Sequence, residues 1–311
     1  MFSDNNDIQV SPSVTAATIY SAPKVYFIIT CHGWSASNWT ATALSKHPDI
    51  LCCHSAMNVP ADSKKLKETE DEFRATMVER HEARIARGEL SINQLLDEVE
   101  SYDEAKNCKV YGNIHTLRLR DLKGLMQKFG QSYPYVLMNQ IRHPVSLVAS
   151  GFGQVKSMLG WDIYCHIDAT HGMEEHLSFF LDIAERYKIN LCDYDVRSFS
   201  YAAHHLLFIA ADAIAFPDVP TIIMERATAD RDYFANVVRQ VTSGFVEPSE
   251  SYLDDVFKLG QLNQHKVGKK LLAKEQFNEW NSWQQEVFKY FFEKSGLREK
   301  YEKYGYDFSF F

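Results

Sequence analysis

The sequence predicts an α/β fold, a three-layer sandwich with a central, mostly parallel sheet flanked by helices. Several short runs, Val25–Thr30 and Tyr133–Ile141 the strongest among them, are continuously apolar, β-branched or aromatic, as strands covered on both faces require. These runs alternate with stretches of helical period, the pattern of crossover connections between parallel strands. No internal repeat and no linker interrupts the alternation, so residues 23–311 are expected to form a single domain.

In chain order, residues 1–22 are rich in Ser, Thr, Asn, Asp and Pro and read as a flexible N-terminal arm. Val25–Thr30 reads as a central strand, Cys31–Asn38 as a small, polar loop around Gly33, and Trp39–Lys46 as a helix with Trp39, Ala43 and Leu44 inward. Ile50–His54 is a second short buried strand, its His54 read as a packed or hydrogen-bonded histidine. A helical insertion is expected over about 61–100, a charged helix to Arg87 and an amphipathic one over Ser91–Glu100. Lys109–Ile114 is the next strand, Leu122–Phe129 a helix, and Tyr133–Ile141 a strand broken by Arg142-His143-Pro144 before a helix over Val145–Phe152. Residues from Gly151 to Met173 read as aromatic loop. Helices are predicted over Glu174–Tyr187 and Ser200–Ala215, a last core strand over Pro220–Met224, and helices over Tyr233–Val241, Lys274–Lys294 and Leu297–Tyr304.

The 311 residues are 45% hydrophobic and 24% charged, ordinary for a soluble protein. No apolar run approaches the roughly 20 residues of a membrane span, and the polar, acidic opening lacks the pattern of a signal peptide. Six scattered cysteines without a CxxC pair read as free thiols, so a cytoplasmic location is expected. The net charge of −8 speaks against nucleic acid and anionic membrane as partners, since both need a basic field. It mildly favours a neutral or cationic small-molecule partner.

The loop between the first strand and its helix aims the first helix N–H groups at one point, where the helix dipole adds to them. Such a turn is a cradle for an anion, and Ser35, Ser37 and Asn38 can add side-chain donors; equally, Ser37 or Asn38 can serve only as the helix cap. A Walker A loop needs a lysine that is absent between Lys24 and Lys46, which speaks against ATP hydrolysis. Gly33-Trp34-Ser35-Ala36-Ser37 is partly like a GxSxG nucleophile elbow, with Ser37 in place of the last glycine.

Trp34-Ser35-Ala36-Ser37-Asn38-Trp39, followed by His47-Pro48-Asp49, resembles the 5'-phosphosulfate loop of sulfotransferases that use 3'-phosphoadenosine 5'-phosphosulfate (PAPS). That family typically shows [KR]SGTTW and often HPD after a strand; here Trp34 replaces the basic residue and Ala36 the glycine. Arg142 to Ser150, of pattern RxPxxxxxS, resembles the family's 3'-phosphate motif, a chemically sensible pair of guanidinium fork and hydroxyl. The resemblance runs from about Lys24 to Tyr306, includes a strand ending in an acidic residue at Glu225, and implies a fold like that of P-loop NTPases.

It further implies that Gly33, Trp34, Ser35, Ala36, Ser37 and Asn38 hold the 5'-phosphosulfate, with Trp39 packed at the helix start near the nucleotide, and that Arg142 and Ser150 hold the 3'-phosphate. His115, just after the strand that follows the helical insertion, matches the acceptor-activating histidine, and histidine suits a general base because it titrates near working pH. Lys266, Lys269 or Lys270, in a late basic loop, can reach the nucleotide or stand in for the charge absent at Trp34, as can Arg118 or Arg120. His166, His171 and His176 recur at intervals of five, which fits no metal-binding spacing, so no metal is expected. The expected function is transfer of a sulfuryl group from PAPS to a hydroxyl or amine of a small molecule. The alternatives are a sulfotransferase-fold binding or scaffold protein without transfer chemistry and, third, a serine hydrolase using Ser35.

Overall fold

The computed structural model describes residues 24–31, 35–54, 59–60, 91–101, 105, 107–114, 135–157, 173–260 and 272–311. Five parallel strands, β1 (Val25–Thr30), β2 (Ile50–His54), β4 (Val110–Ile114), β5 (Tyr135–Ile141) and β6 (Thr221–Ile223), lie in one sheet with a short antiparallel edge strand β3 (Val59–Pro60). The order is β3-β2-β4-β1-β5-β6. The predicted α/β class and parallel sheet are therefore present, with β1 in the interior as its unbroken apolar run requires.

Alternate residues of each strand feed opposite layers. Phe27 and Ile29 join Cys52, Val110, Met138 and Ile222 under α1 (Ser37–Ser45) and two later helices, whereas Tyr26 and Ile28 join Leu51, Cys53 and Tyr111 under α2 (Ile92–Ser101). Beyond β5, the second face is covered by α3 (Pro144–Ser157), α4 (Leu177–Tyr187) and α5 (Tyr194–Ala213). Inside the sheet, Gly112 pairs with Phe27, and a Cβ there would stand 2.4 Å from the Phe27 ring. Only glycine lets these two buried positions lie side by side.

Several boundaries differ from the expected ones. α3 runs on to Ser157, so the segment read as loop from Gly151 begins as helix. α5 begins at Tyr194 rather than Ser200, because Asp193 caps it: its carboxylate accepts the Asp195 N–H at 2.8 Å and its carbonyl the Arg197 N–H. After a short turn of helix α6 (Met224–Ala227) come α7 (Arg231–Val241) and α8 (Glu250–Phe257), the latter not among the helices expected from the sequence although Tyr252, Leu253 and Val256 line one face of it. The long helix expected over Lys274–Lys294 is two, α9 (Ala273–Glu279) and α10 (Ser282–Lys294). Trp280 and Asn281 are extended between them, and the Gln284 side chain accepts the Asn281 N–H at 2.9 Å to start the second. A last helix, α11 (Leu297–Glu302), precedes the C-terminal residues.

The chain leaves β1 toward β2 and leaves β5 toward β6, in opposite directions across the sheet. α1 and α3 accordingly lie on opposite faces, and the C-terminal ends of β1 and β5 bound the crevice that this arrangement opens.

Candidate functional site

At that edge the strands cease to be apolar. Thr30, Asn113, Asn139 and Gln140, each among the last three residues of β1, β4 or β5, are all buried, and buried polar groups need partners. The Thr30 hydroxyl donates to the Asn139 side-chain oxygen (3.1 Å) and to the Met138 carbonyl (3.2 Å). On the other face Gln140 uses both ends of its amide: Oε1 accepts the Thr40 hydroxyl at 2.7 Å, and Nε2 donates to the Ser35 carbonyl at 2.7 Å. Gln140 thus ties the β1–α1 turn to β5.

Within the turn, Ala36 stands immediately before α1 with φ 62° and ψ 30°, the left-handed conformation. This is the position where the sequence pattern of the resembled family has glycine. The Ala36 carbonyl accepts the Trp39 N–H (3.0 Å) and the Thr40 N–H (3.3 Å), which starts the helix. A left-handed residue followed by helical ones turns successive N–H groups toward one concavity, a nest for an anion. The helix start carries no acidic side chain in its first turn to compete.

The expectation that Ser37 or Asn38 caps α1 is corrected: the cap position is Ala36, without a side-chain cap bond. Ser37 Oγ instead lies 2.9 Å from His54 Nε2, which reaches it from the end of β2. The Ser35 and Ser37 hydroxyls also hydrogen-bond the Cys31 sulfur. Burial outweighs them and pushes the Cys31 thiol up to about 12, so it stays protonated and inert. Trp39 packs in the core at 5% exposure, edge-on to Phe234 at 5.5 Å. It supports the turn from beneath. Asn38 is partly buried, and Tyr252 in α8 donates to the Ala43 carbonyl at 2.9 Å, which anchors α1 further along.

The second turn, Arg142-His143-Pro144, follows β5 directly. Pro144 suits the first helical position of α3, and His143 caps that helix with its ring: Nδ1 accepts the Val145 N–H at 3.1 Å. The Glu225 carboxylate, just beyond β6, accepts the His143 N–H (2.9 Å) and the Tyr306 hydroxyl (2.7 Å). Arg142 is partly buried; burial pulls its guanidinium below the ordinary value, while Glu225 and Tyr306 act the other way. Ser150 is partly buried two turns along α3.

The structure therefore brings the Ser35–Trp39 and Arg142 turns to the same edge of neighbouring strands, joined through Gln140. Gly33, Trp34, His115, Arg118, Arg120, Lys266, Lys269 and Lys270 lie outside the described residues. The bracing groups Gln140, His143, Glu225 and Tyr306 had no assigned role in the sequence reading. Their signals were faint: an amide inside an apolar strand, a histidine before proline, an acid after a strand. Among the described residues no group of three His, Cys, Asp or Glu side chains is arranged to hold a metal ion, and no helix is long and apolar enough to cross a membrane. No protein-family model matches the chain, and no curated protein matches it.

Proposed function

We propose that this protein transfers a sulfuryl group from PAPS to a hydroxyl or amine of a small molecule. The observation that carries the reading is the meeting of two anion-suited turns at the C-terminal ends of adjacent strands, tied by the bond from Gln140 to the Ser35 carbonyl. One turn offers backbone N–H groups at a helix start, the other a guanidinium. Their sequences resemble the two phosphate motifs of the resembled family in Ser35, the loop length, Trp39, His47-Pro48-Asp49 and the Arg142–Ser150 pair, with Trp34 in place of the basic residue and Ala36 in place of glycine.

In this reading the N–H groups of Ala36, Ser37 and Asn38, with Gly33, Trp34 and Ser35 completing the turn, hold the 5'-phosphosulfate. Arg142 and Ser150 hold the 3'-phosphate. The acceptor oxygen or nitrogen attacks sulfur in line with the bridging oxygen; the new bond to sulfur forms as the sulfur–bridging-oxygen bond breaks, and His115 takes the acceptor proton. Charge that builds on the leaving phosphate is met by the turn's amides and by a lysine, Lys266 or Lys269, in place of the basic residue replaced by Trp34. The reading places the protein in the cytoplasm, where PAPS is the co-substrate, and requires no metal.

One observation favours the alternative of a binding or scaffold protein: the Ser35 and Ser37 hydroxyls are engaged by Cys31 and His54. Calorimetry with adenosine 3',5'-bisphosphate decides the first question. Saturable binding supports the nucleotide site, and no binding at about millimolar ligand removes the proposal. Transfer is then decided with sulfur-labelled PAPS and a pool of small acceptors. His115→Ala is expected to lower turnover by about a hundredfold or more while nucleotide affinity holds; undiminished turnover clears His115 of the role.

A further inference from the structure

We infer that Gln140 is a positioning residue for the anion-binding turn, fixing the direction of the Ala36 N–H. The inference rests on the nucleotide reading above and adds a specific residue to it.

Gln140 is 1% exposed in a strand whose neighbours Met138 and Ile141 are apolar core. An amide in that place carries a desolvation cost unless it is bonded, and here both ends are bonded. Thr40 occupies Oε1, and Nε2 holds the Ser35 carbonyl. The Ser35–Ala36 peptide is planar and trans, so its N–H points opposite to its carbonyl. With the carbonyl held toward β5, the Ala36 N–H is held away from β5. There it joins the N–H groups of Ser37 and Asn38 on the concave side of the turn.

The alanine at position 36 gives the clamp its purpose. A left-handed φ is easy for glycine and uphill for any residue with a Cβ. Left alone, an alanine turn favours rotation of the Ser35–Ala36 peptide to a negative φ, which takes one donor out of the cradle. The bond from Gln140 opposes that rotation. In this chain a buried amide thus supplies the restraint that a glycine would have made unnecessary.

The test uses calorimetry on the full chain with two ligands, adenosine 3',5'-bisphosphate and adenosine 3'-phosphate. Gln140→Met, close to isosteric, is expected to weaken the bisphosphate by about tenfold or more and to leave the 3'-phosphate unchanged. Thr40→Val removes the other amide bond and keeps the one to Ser35, so its bisphosphate affinity stays within about twofold although it too is destabilised. Ala36→Gly placed in the Gln140→Met background returns part of the lost affinity. Equal loss for both ligands, or no loss, overturns the inference while the nucleotide reading stands. If the unaltered protein binds neither ligand, the nucleotide reading falls and this inference with it. Should Gln140→Met not fold, hydrogen exchange of the Ala36 amide in the unaltered protein decides: slowing by the bisphosphate but not by the 3'-phosphate supports the inference, and equal exchange with both overturns it.

Discussion

Ala36 holds a backbone conformation that normally asks for glycine, and it does so at the start of the helix that frames the candidate site. Its methyl packs against the core on the α1 face, which offsets part of the strain. Glycine removes a left-handed strain of about 1–2 kcal/mol but gives up that contact and costs about 0.5–1 kcal/mol of unfolded-chain entropy. Ala36→Gly is therefore expected to stay within about 1 kcal/mol of the parent protein in urea unfolding. Ala36→Val, with a branched Cβ at positive φ, is expected to lose about 2 kcal/mol or more, and a fully stable valine variant would refute the strain at this position. At this scale the sequence revealed the turn but not its partners. Ser35 and Ser37 were legible as donors, and Cys31 lies only four residues before Ser35, but His54 comes to Ser37 from the end of another strand, and nothing local in the sequence records that.

Elements were the most legible scale, because unbroken apolar runs have few destinations other than a doubly covered strand. β1, β2, β4 and β5 fall within two residues of their expected bounds. Helix limits were less so: α5 starts six residues early at an Asp193 cap, and the aromatic stretch around Trp280 conceals a break between α9 and α10. Strand pairing produces the sharpest prediction. In Gly112→Ala the new methyl meets the ring of Phe27, which is fully buried, so the ring or the strand has to shift. The expected loss is about 1–3 kcal/mol by chemical denaturation. Phe27→Leu in the same chain should recover part of it, and a Gly112→Ala protein as stable as its parent would show that the two strands are spaced differently.

Across the whole molecule, the C-terminal residues close over the Arg142 turn. His143, 6% exposed, is ringed by Tyr306, Phe308 and Phe310 at centroid distances of 5.4, 5.1 and 6.1 Å. Its Nδ1 already accepts the Val145 N–H, and its Nε2 makes a long 3.5 Å contact with the Asp307 carbonyl. Burial, only partly opposed by Glu225 and Asp307, lowers its pKa to about 4, and Arg142 pushes the same way as burial. An unfolded histidine takes up its proton near 6.5. Between those values the unfolded chain binds the proton and the folded one does not, so stability is full above about pH 6.5 and falls as pH drops toward 4, by about 3 kcal/mol from this residue. His143→Asn, which can still cap α3, is expected to flatten that part of the stability–pH curve; an unchanged slope would assign the acid sensitivity elsewhere.

By itself the sequence determined the layers: continuous apolar strands, the helices between them, and a small polar turn after the first strand. Composition and period suffice for that, because each is a property of neighbouring residues. The tertiary structure alone decided which turns share an edge. The order β3-β2-β4-β1-β5-β6 sets β5, last but one along the chain, beside β1, and so puts Gln140 under Ser35 and Glu225 under His143. Those partners lie about a hundred residues apart or nearly so, and only the folding of the sheet sets their separation in space.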